Sequence, residues 1–213
     1  MTQPFLISVN IGRPEYVPGY EPLTGIVKRA VAGPVAIGPL AVEGDAVLDT
    51  MDHGGRDQAV YIYLQSDYDW WNAELGENFA SGTFGENLTI AGVAGDRLAV
   101  GDRFAIGTAL LEVTSHRTPC NTFAARMGDR LWVKRFHNAG RPGAYARVLE
   151  PGSVEAGDRA DYRPVAAAPV LVSELMALDG VRHIDETTLR RMLAAPLNHK
   201  VRAKFEARLA AAG

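Results

Sequence analysis

Short apolar stretches, separated by glycine, proline and polar turn residues, recur along most of the chain. Closely spaced stretches of this kind are typical of all-β barrels and sandwiches, in which each strand crosses the core and turns at the surface. Recurring Gly-Asp pairs fit the turns, because glycine adopts positive φ and aspartate bonds its local backbone. We therefore predict a mainly β fold with strands at residues 5–9, 24–29, 35–37, 46–48, 59–64, 88–90, 103–106, 110–114, 144–149 and 160–162.

Two helical stretches interrupt this pattern. Residues 66–69 form a plausible N-terminal cap for a helix over 70–75, whose tryptophan pair we expect to pack in the core or at its rim. A second helix is predicted at 123–127, with Asn121 or Thr122 as its N-cap. Residues 131–136 are a candidate continuation of that second helix.

The composition changes after residue 163, where alanine-rich, helix-favouring sequence begins. Leucine and methionine recur there at helical spacing, which predicts helices at 171–178, 186–193 and 200–211, with Asp185 and Asn198 as caps of the last two. We divide the chain into a β domain at 1–163 and a three-helix extension at 164–213. So small an extension is expected to dock on the β domain or on a second subunit, which makes a homodimer a candidate state.

The bulk composition excludes several classes of protein. The chain has 213 residues, 47% of them hydrophobic, and a formal net charge of −3, so it lacks the overall basic charge of a nucleic-acid-binding protein. No apolar run approaches the roughly 18 residues of a membrane-spanning helix. The amino terminus lacks the basic and apolar regions of a signal peptide, and we expect a cytoplasmic protein.

Cys120 is the only cysteine and the most informative residue. A single cysteine cannot form an intramolecular disulfide or a multi-cysteine metal site. Arg117 lies three residues upstream and a predicted helix begins just downstream, and both a cation and a helix N-terminus favour the thiolate. A thiolate attacks electrophiles or binds soft metals. The alternative from local context is an inert, buried cysteine that fills space.

Two glycine-containing loops run into predicted strands. In the first, at 52–60, paired glycines let the backbone approach an anion, with His53 and Arg56 as further donors and Asp57 as an acceptor. In the second, at 84–88, Asn87 has the donor and acceptor needed to bind an amide or a ring edge. Ordinary turns with solvated polar side chains remain the alternative for both loops.

Alternation at 144–149 places Tyr145 and Arg147 on one face of a strand. An arginine directed toward a pocket needs an anionic partner, because an unpaired buried charge is unfavourable. Phosphate is the natural partner for a guanidinium.

Taken together, these motifs resemble one family. His-Gly-Gly-x-Asp at 53–57, Phe-Gly-Glu-Asn at 84–87, the Gly-Asp turns at 95–102, Arg-x-Pro-Cys at 117–120 and Gly-x-x-Gly-x-Tyr-x-Arg-Val-Leu at 140–149 are similar to the MOSC domain. That family is named for the C-terminal domain of molybdenum cofactor sulfurases. The order and spacing resemble its YiiM-like bacterial branch, which carries a three-helix extension like the one predicted here.

The resemblance implies a β-barrel of the pyruvate-kinase barrel-like type that binds the molybdenum cofactor, a pterin with a dithiolene and a terminal phosphate. It implies that Cys120 is a thiolate ligand of molybdenum and that Arg117 holds charge beside it during catalysis. It further implies reduction of N-hydroxylated compounds, including hydroxylated purine base analogues, from N–OH to N–H with loss of water, as a detoxification. The other residues in motifs near the cofactor are Lys28, as a phosphate contact, and His53, Asp57, Asn87, Asn121, Arg141 and Arg147.

Other functions stay open at this point. Cys120 could carry a persulfide, or the chain could hold the cofactor without turnover. A cysteine hydrolase would use Cys120 as its nucleophile and His116, His53 or His137 as its base. Pyridoxal phosphate binding has been suggested for the fold, although no lysine here has a distinctive Schiff-base context. The sequence has no Rossmann or flavin fingerprint, so we expect electrons to come from a separate flavoprotein-type reductase.

Overall fold

The computed structural model describes residues 3–48 and 54–212. Its strands are β1 (Phe5–Gly12), β2 (Glu15–Val17), β3 (Tyr20–Thr24), β4 (Lys28–Val31), β5 (Val35–Ile37), β6 (Val60–Leu64), β7 (Leu88–Ala91), β8 (Arg103–Ile106), β9 (Ala109–His116), β10 (Ala144–Glu150), β11 (Gly152–Val154) and β12 (Ala160–Arg163). Its helices are α1 (Gln65–Leu75), α2 (Asn121–Arg126), α3 (Trp132–Ala139), α4 (Val172–Ala177), α5 (Glu186–Ala194) and α6 (His199–Ala212).

One mixed sheet of eight strands organises the molecule, in the order β12-β8-β9-β10-β6-β7-β1-β4. Strands β6 and β7 are parallel, and the other neighbours are antiparallel. The sheet curls so that β1 approaches β12 through an isolated bridge between Phe5 and Arg159, supported by a hydrogen bond from Leu6 N to Asp158 O of 2.8 Å. The predicted mainly β class is therefore confirmed, although the described strands do not form a continuous closed ladder.

The predicted strands at residues 24–29 and 46–48 differ from the structure. The predicted strand 24–29 is divided, because β3 ends at Thr24 and β4 begins at Lys28. Residues 46–48 form no strand. Ala46 N instead donates to the Gly12 carbonyl at 3.0 Å, and a side chain at Gly25 would overlap the Ala46 carbonyl oxygen. Three backbone segments thus meet edge to edge here. Strands β2 and β11 were not predicted, and of β3 only Thr24 was.

The helix starts also differ from the sequence expectation. Ser66 lies inside α1, whose N-cap is Leu64. The Ser66 hydroxyl donates to Val93 O and accepts from Gly95 N. Cys120, not Asn121 or Thr122, occupies the N-cap position of α2. Gly128, at φ +72°, lies between α2 and α3, which are separate helices.

The three predicted C-terminal helices are confirmed as α4, α5 and α6. The Asp185 side chain caps α5 by accepting from Thr188 N at 2.8 Å, and the Asn198 side chain accepts from Lys200 N at 2.8 Å at the start of α6. Apolar side chains of these helices, such as Leu175 and Phe205, join the same buried cluster as the sheet. The extension is therefore packed on the β domain. In the described residues, no helix is both long and apolar enough to cross a membrane.

Candidate functional site

A cavity opens between the loop that follows β9, the start of α2 and the segment at 45–48. Its empty space, including the solvent at its open mouth, is about 810 Å³. Four sequence-predicted site residues line it together: Lys28, Asn87, Arg117 and Cys120. The other lining residues include Tyr20, Leu23, Ile26, Asp45, Leu48, Gln58, Tyr61, Thr122 and Tyr145.

The loop after β9 brings the thiol and the guanidinium to this cavity. Strand β9 ends at His116, and the four residues 117–120 cross to α2, with Cys120 in extended conformation at its N-cap. Cys120 is half-buried, whereas Arg117 is only 4% exposed. The local inference from Arg-x-Pro-Cys, that both side chains serve one site, therefore agrees with their placement.

Arg117 is held by aromatic rings rather than by carboxylates. Its guanidinium carbon lies 4.2 Å from the centroid of the Phe123 ring, 5.5 Å from Phe136 and 5.7 Å from Tyr61. Among the described residues its Nη1 has no hydrogen-bond partner, and no carboxylate lies within ion-pair distance. A buried cation is unfavourable unless an anion accompanies it, so the cavity is suited to an anionic ligand.

An aromatic cluster, missed by sequence reasoning, supports this arrangement. It joins β6, α1, α2 and α3, and its buried members are Tyr61, Tyr63, Tyr68, Trp71, Phe84, Phe123, Trp132 and Phe136. These residues lie in separate motifs, and only the tertiary fold brings their rings together. The expectation that the tryptophan pair packs in the core or at its rim is confirmed by Trp71, which is buried, and Trp70, which is half-buried beside it.

Tyr145 lies beside Arg117 and keeps its proton. Burial raises the pKa of Tyr145, while the nearby positive charge of Arg117 opposes the shift only in part. Its ring packs against that of Tyr61 at 5.2 Å between centroids, and Tyr61 Oη donates to Pro142 O at 2.9 Å. Burial likewise raises the pKa of Tyr61. Two protonated phenols therefore line the cavity together with the thiol.

The charge of Lys28 in the cavity wall is neutralised within the protein. The Lys28 ammonium forms a buried ion pair with Asp45, which also accepts from Gly12 N at 2.8 Å and from Asn87 Nδ2 at 2.9 Å. Burial lowers the pKa of Lys28, and Asp45 opposes that shift. Asn87 Oδ1 in turn accepts from Tyr61 N at 3.1 Å. Both Lys28 and Asn87 thus have partners within the protein, although they face the cavity.

Glu86, which sequence reasoning did not assign, fixes the loop that carries Asn87. Its Oε1 accepts from Tyr68 Oη and Gly82 N, both at 2.6 Å, and from Thr89 Oγ1 at 2.8 Å. Burial raises the pKa of Glu86, and these hydrogen bonds oppose the shift. The Phe-Gly-Glu-Asn motif contained this residue, but its role depends on donors from α1 and β7.

Arg141 does not line the cavity. It forms an ion pair with the buried Asp67 at 2.7 Å and lies 4.8 Å above the Trp70 ring. Burial raises the pKa of Asp67 to about 6, against the opposing effect of Arg141. Arg141 therefore serves an internal ion pair with α1 in this structure.

Asp57 and Arg147 also lie apart from the lining residues, at the junction with the extension. Arg147 Nε lies 3.1 Å from Asp57 Oδ1, and its Nη2 donates to Pro196 O and Leu197 O. Asp57 Oδ2 accepts from His199 N at 2.9 Å, at the start of α6. The anionic partner expected for Arg147 is thus a carboxylate of the same chain, and the pair holds α6 against β10.

The remaining predicted site residues have other positions. His53 lies outside the described residues. Asn121 is the exposed first residue of α2 and does not line the cavity, where Thr122 does. His116 and His137 contact the extension, at Asp179 and at the Met176 carbonyl, respectively. Within the described ranges, no histidine lines the cavity together with Cys120.

The donor set at the cavity fits a cofactor that brings most of its own metal ligands. Within residues 3–48 and 54–212, no three histidine, cysteine, aspartate or glutamate side chains converge on a metal position. A single thiol next to a buried, unneutralised guanidinium suits a soft metal carried by an anionic cofactor. The residues present therefore fit a dithiolene cofactor with a terminal phosphate.

Comparisons with known proteins agree with this fold. The MOSC domain model matches residues 49–161. The uncharacterized protein YflK of Bacillus subtilis is 35% identical over 154 residues, which are 71% of this chain and 70% of that protein. A protein named reductase from Gibberella moniliformis is 32% identical over 158 residues, 72% of this chain but only 28% of that protein.

The fold extends the likeness over the whole chain. The crystal structure of YiiM from Geobacillus stearothermophilus has a TM-score of 0.79 and 27% sequence identity, and the match covers 97% of this chain and 99% of that one. The chain belongs to the MOSC domain family. It resembles the YiiM-like members of that family, because the structural match includes the C-terminal helices.

Proposed function

We propose that this chain is a molybdenum-cofactor-dependent reductase of N-hydroxylated compounds, among them hydroxylated purine base analogues. The observation that carries the proposal is that Cys120 and the buried, unneutralised Arg117 line one cavity. Membership of the MOSC family and the likeness to a protein named reductase support it. A role in detoxification follows from that substrate class.

The groups proposed to hold the cofactor line the cavity. The Cys120 thiolate would be the protein's ligand to molybdenum, and Arg117 would offset the negative charge of the cofactor. The Lys28 ammonium is already paired with Asp45, so its positive charge is partly neutralised. Arg117 would therefore bind an anionic phosphate more strongly than Lys28. When bound, the cofactor supplies two-electron redox chemistry at oxygen, which the side chains themselves cannot perform.

The chain's own residues would orient the substrate and manage protons. Conversion of N–OH to N–H and water consumes two electrons and two protons. Tyr145 keeps its proton and lies beside Arg117, so its hydroxyl is the proposed hydrogen-bond donor to the departing oxygen, and water is the proposed source of the two protons. Leu23 and Leu48, 44% and 50% exposed at the mouth, offer apolar surface to a flat ring and limit the access of water.

An acidic protein is the proposed source of electrons. Residues 121–140 contain Arg126, Arg130, Lys134 and Arg135 against one acidic residue, Asp129, a local net charge of +3 in a chain of net charge −3. Leu131, 63% exposed, lies among them. This basic segment begins directly after Cys120, and a basic rim around an exposed apolar residue suits a transient acidic partner such as a flavoprotein-type electron carrier.

The proposal is tested by assaying reduction of an N-hydroxylated purine with chemically reduced methyl viologen as the electron source. Protein produced in a host that makes the cofactor should turn over, and Cys120→Ala should lose at least about 100-fold of the rate, since the metal ligand is removed. Arg163→Gln, which alters an exposed ion pair with Asp161, is the matched control and should retain the rate. Stoichiometric cofactor without turnover on any N-hydroxylated compound would contradict the proposal and favour a carrier.

A further inference from the structure

The cavity loop has a second face, directed away from the cavity. Residues 117–120 connect the end of β9 at His116 to the start of α2. Arg117 and Cys120 line the cavity, whereas His116 and Thr118 bond to the extension. The loop that carries the proposed metal ligand is therefore in contact with the C-terminal helices.

Both outer side chains converge on one carboxylate oxygen. Asp179 Oδ2 lies 2.9 Å from His116 Nε2 and accepts from Thr118 Oγ1 at 3.1 Å. Thr118 Oγ1 lies 3.2 Å from His116 Nε2, so the three groups form a closed triangle. His116 is buried, so loss of its bond to Asp179 would leave a buried polar group without that partner, whereas the bond from Thr118 to Asp179 is exposed.

Within the described residues, the Asp179 side chain has no other contact as short as those with His116 and Thr118. It lies in the turn after α4, just before Gly180, whose φ of +76° directs the chain toward α5. Its other oxygen is only 4.0 Å from Lys204 Nζ. Burial raises the pKa of Asp179, but the hydrogen bonds from His116 and Thr118 and the nearby Lys204 lower it more, so the carboxylate is charged at neutral pH.

A second bond braces the same region. His137 Nε2, in α3, lies 3.1 Å from the Met176 carbonyl near the end of α4. The extension thus contacts both the loop before α2 and the helix after it. Asp179 lies outside residues 49–161, the part of the chain that matches the MOSC domain. The carboxylate of this contact therefore belongs to the extension, whereas His116 and Thr118 belong to the matched domain.

We propose that Asp179 is a positioning residue for the reactive loop: through His116 and Thr118 it fixes residues 117–120 so that Arg117 and Cys120 face the cavity. The C-terminal extension is then a component of the site rather than an appendage. The inference rests on the proposed role of Cys120, but the loop geometry itself is testable in protein without cofactor. Without the triangle, the segment would lose its side-chain bonds to the extension.

The test measures the rate at which iodoacetamide alkylates Cys120, the only thiol, as a function of pH in cofactor-free full-length protein. Asp179→Ala should raise the rate at neutral pH by at least about 5-fold, because a loosened loop exposes the half-buried thiol. Asp179→Asn keeps an acceptor oxygen for both partners and should return the rate to within about 2-fold of wild type. Arg191→Gln, which removes an exposed ion pair with Glu174 in the same extension, should leave it unchanged.

Circular dichroism and cooperative melting confirm that each variant is folded. If Asp179→Ala does not fold, Thr118→Val removes one side of the triangle with little change in volume and should raise the rate by at least about 2-fold. Alkylation in folded Asp179→Ala, or in Thr118→Val as its substitute, at the wild-type rate would overturn the proposal. Molybdenum content is the second readout, and it should fall in Asp179→Ala. Wild type without any molybdenum would contradict the proposed function. The alkylation rate would then still test whether Asp179 positions the loop.

Discussion

At the scale of single residues, Arg117 shows how the cavity is prepared for an anion. The guanidinium is buried against three aromatic rings, which recover part of the energy lost on leaving water, about 2 kcal/mol for a desolvated cation–π contact. The described residues offer it no carboxylate. The positive charge is therefore held ready for a bound ligand rather than used to stabilise the fold.

Replacement of Arg117 by methionine tests this interpretation. Removal of one partner of a buried ion pair usually costs about 3–5 kcal/mol, but here no paired carboxylate is left behind, so Arg117→Met should change the free energy of unfolding by less than about 1 kcal/mol. Inorganic phosphate should raise the melting temperature of wild type and not that of the variant. Arg135→Met, on the exposed face of α3, should keep the phosphate response. Equal stabilisation of wild type and Arg117→Met by phosphate would contradict the assignment.

Asp67 predicts a pH dependence of stability. Its pKa in the folded chain is about 6, above the 3.8 of an unperturbed aspartate, so the folded state binds its proton more tightly than the unfolded state. The free energy of unfolding should therefore fall as pH rises from about 4 to about 6, by at most about 3 kcal/mol, and level off above that range.

Denaturant unfolding at a series of pH values measures this effect. Asp67→Asn should reduce the pH dependence of the free energy of unfolding between pH 4 and 6 by the contribution of one titrating group. Asparagine keeps an acceptor for Arg141 but has no titratable proton. Asp69→Asn, an exposed change in the same helix, should keep the wild-type slope. An unchanged slope in Asp67→Asn would show that Asp67 does not titrate in this window.

The residue scale also shows what local sequence can predict. Arg117 and Cys120 are three positions apart in one loop, so their shared site follows from the motif itself. Arg141 finds its partner Asp67 at a separation of 74 positions, on a different element. No local pattern identifies such a partner. The sequence alone therefore predicted a place for Arg141 near the cofactor and not an internal ion pair.

At the scale of elements, the extension is joined to the β domain by backbone bonds and by several polar contacts, one of which is the ion pair of Asp57 and Arg147. Val172 N donates to Leu98 O, and Asn198 N donates to Thr114 O, both at 2.9 Å. Between these contacts, Asp57 accepts from the first residue of α6 and pairs with Arg147. The carboxylate therefore acts both as a helix cap and as half of an ion pair.

Asp57→Ala should destabilise the chain by about 2–4 kcal/mol, because it removes the helix cap and leaves Arg147 without its nearest carboxylate. Equilibrium unfolding in urea measures the change. Asp161→Asn breaks an exposed ion pair with Arg163 and should cost no more than about 0.5 kcal/mol. A loss in Asp57→Ala as small as that of the control would mean that the junction is solvated in solution.

Element boundaries illustrate a second limit of sequence reasoning. Strands buried along their whole length, such as β6, were predicted almost to the residue, because their apolar run is continuous. Strands β2, β3 and β11 are short and carry polar side chains, so no apolar pattern marks them. The break at Gly25 depends on the approach of the Ala46 carbonyl, a tertiary contact.

At the scale of the whole molecule, charge is distributed unevenly. The basic segment 121–140 lies in an otherwise acidic chain and begins next to Cys120. Long-range attraction of this kind accelerates the encounter with an acidic partner and weakens as salt is added. The electron donor was predicted to be a separate protein, and this surface is its proposed docking site.

The double variant Arg130→Glu and Lys134→Glu tests the docking surface. With a flavodoxin and its reductase as the electron source, the variant should lose at least about 10-fold in kcat/KM for the flavodoxin, because like charges now meet at the interface. With reduced methyl viologen it should retain the wild-type rate. The same charge reversal at a distant exposed position, Arg190→Glu in α5, is the control. A loss that is equal with both electron sources would contradict a docking role.

The central claim is that Cys120 holds a molybdenum cofactor in this cavity. Its most direct test is the molybdenum content of wild type and Cys120→Ala, purified from a host that makes the cofactor and measured by elemental mass spectrometry. We predict close to one molybdenum per chain in wild type and a loss of most of it in the variant, with both proteins folded by circular dichroism. Wild type without molybdenum, even after reconstitution with the cofactor, or equal content in the two proteins, would contradict the account.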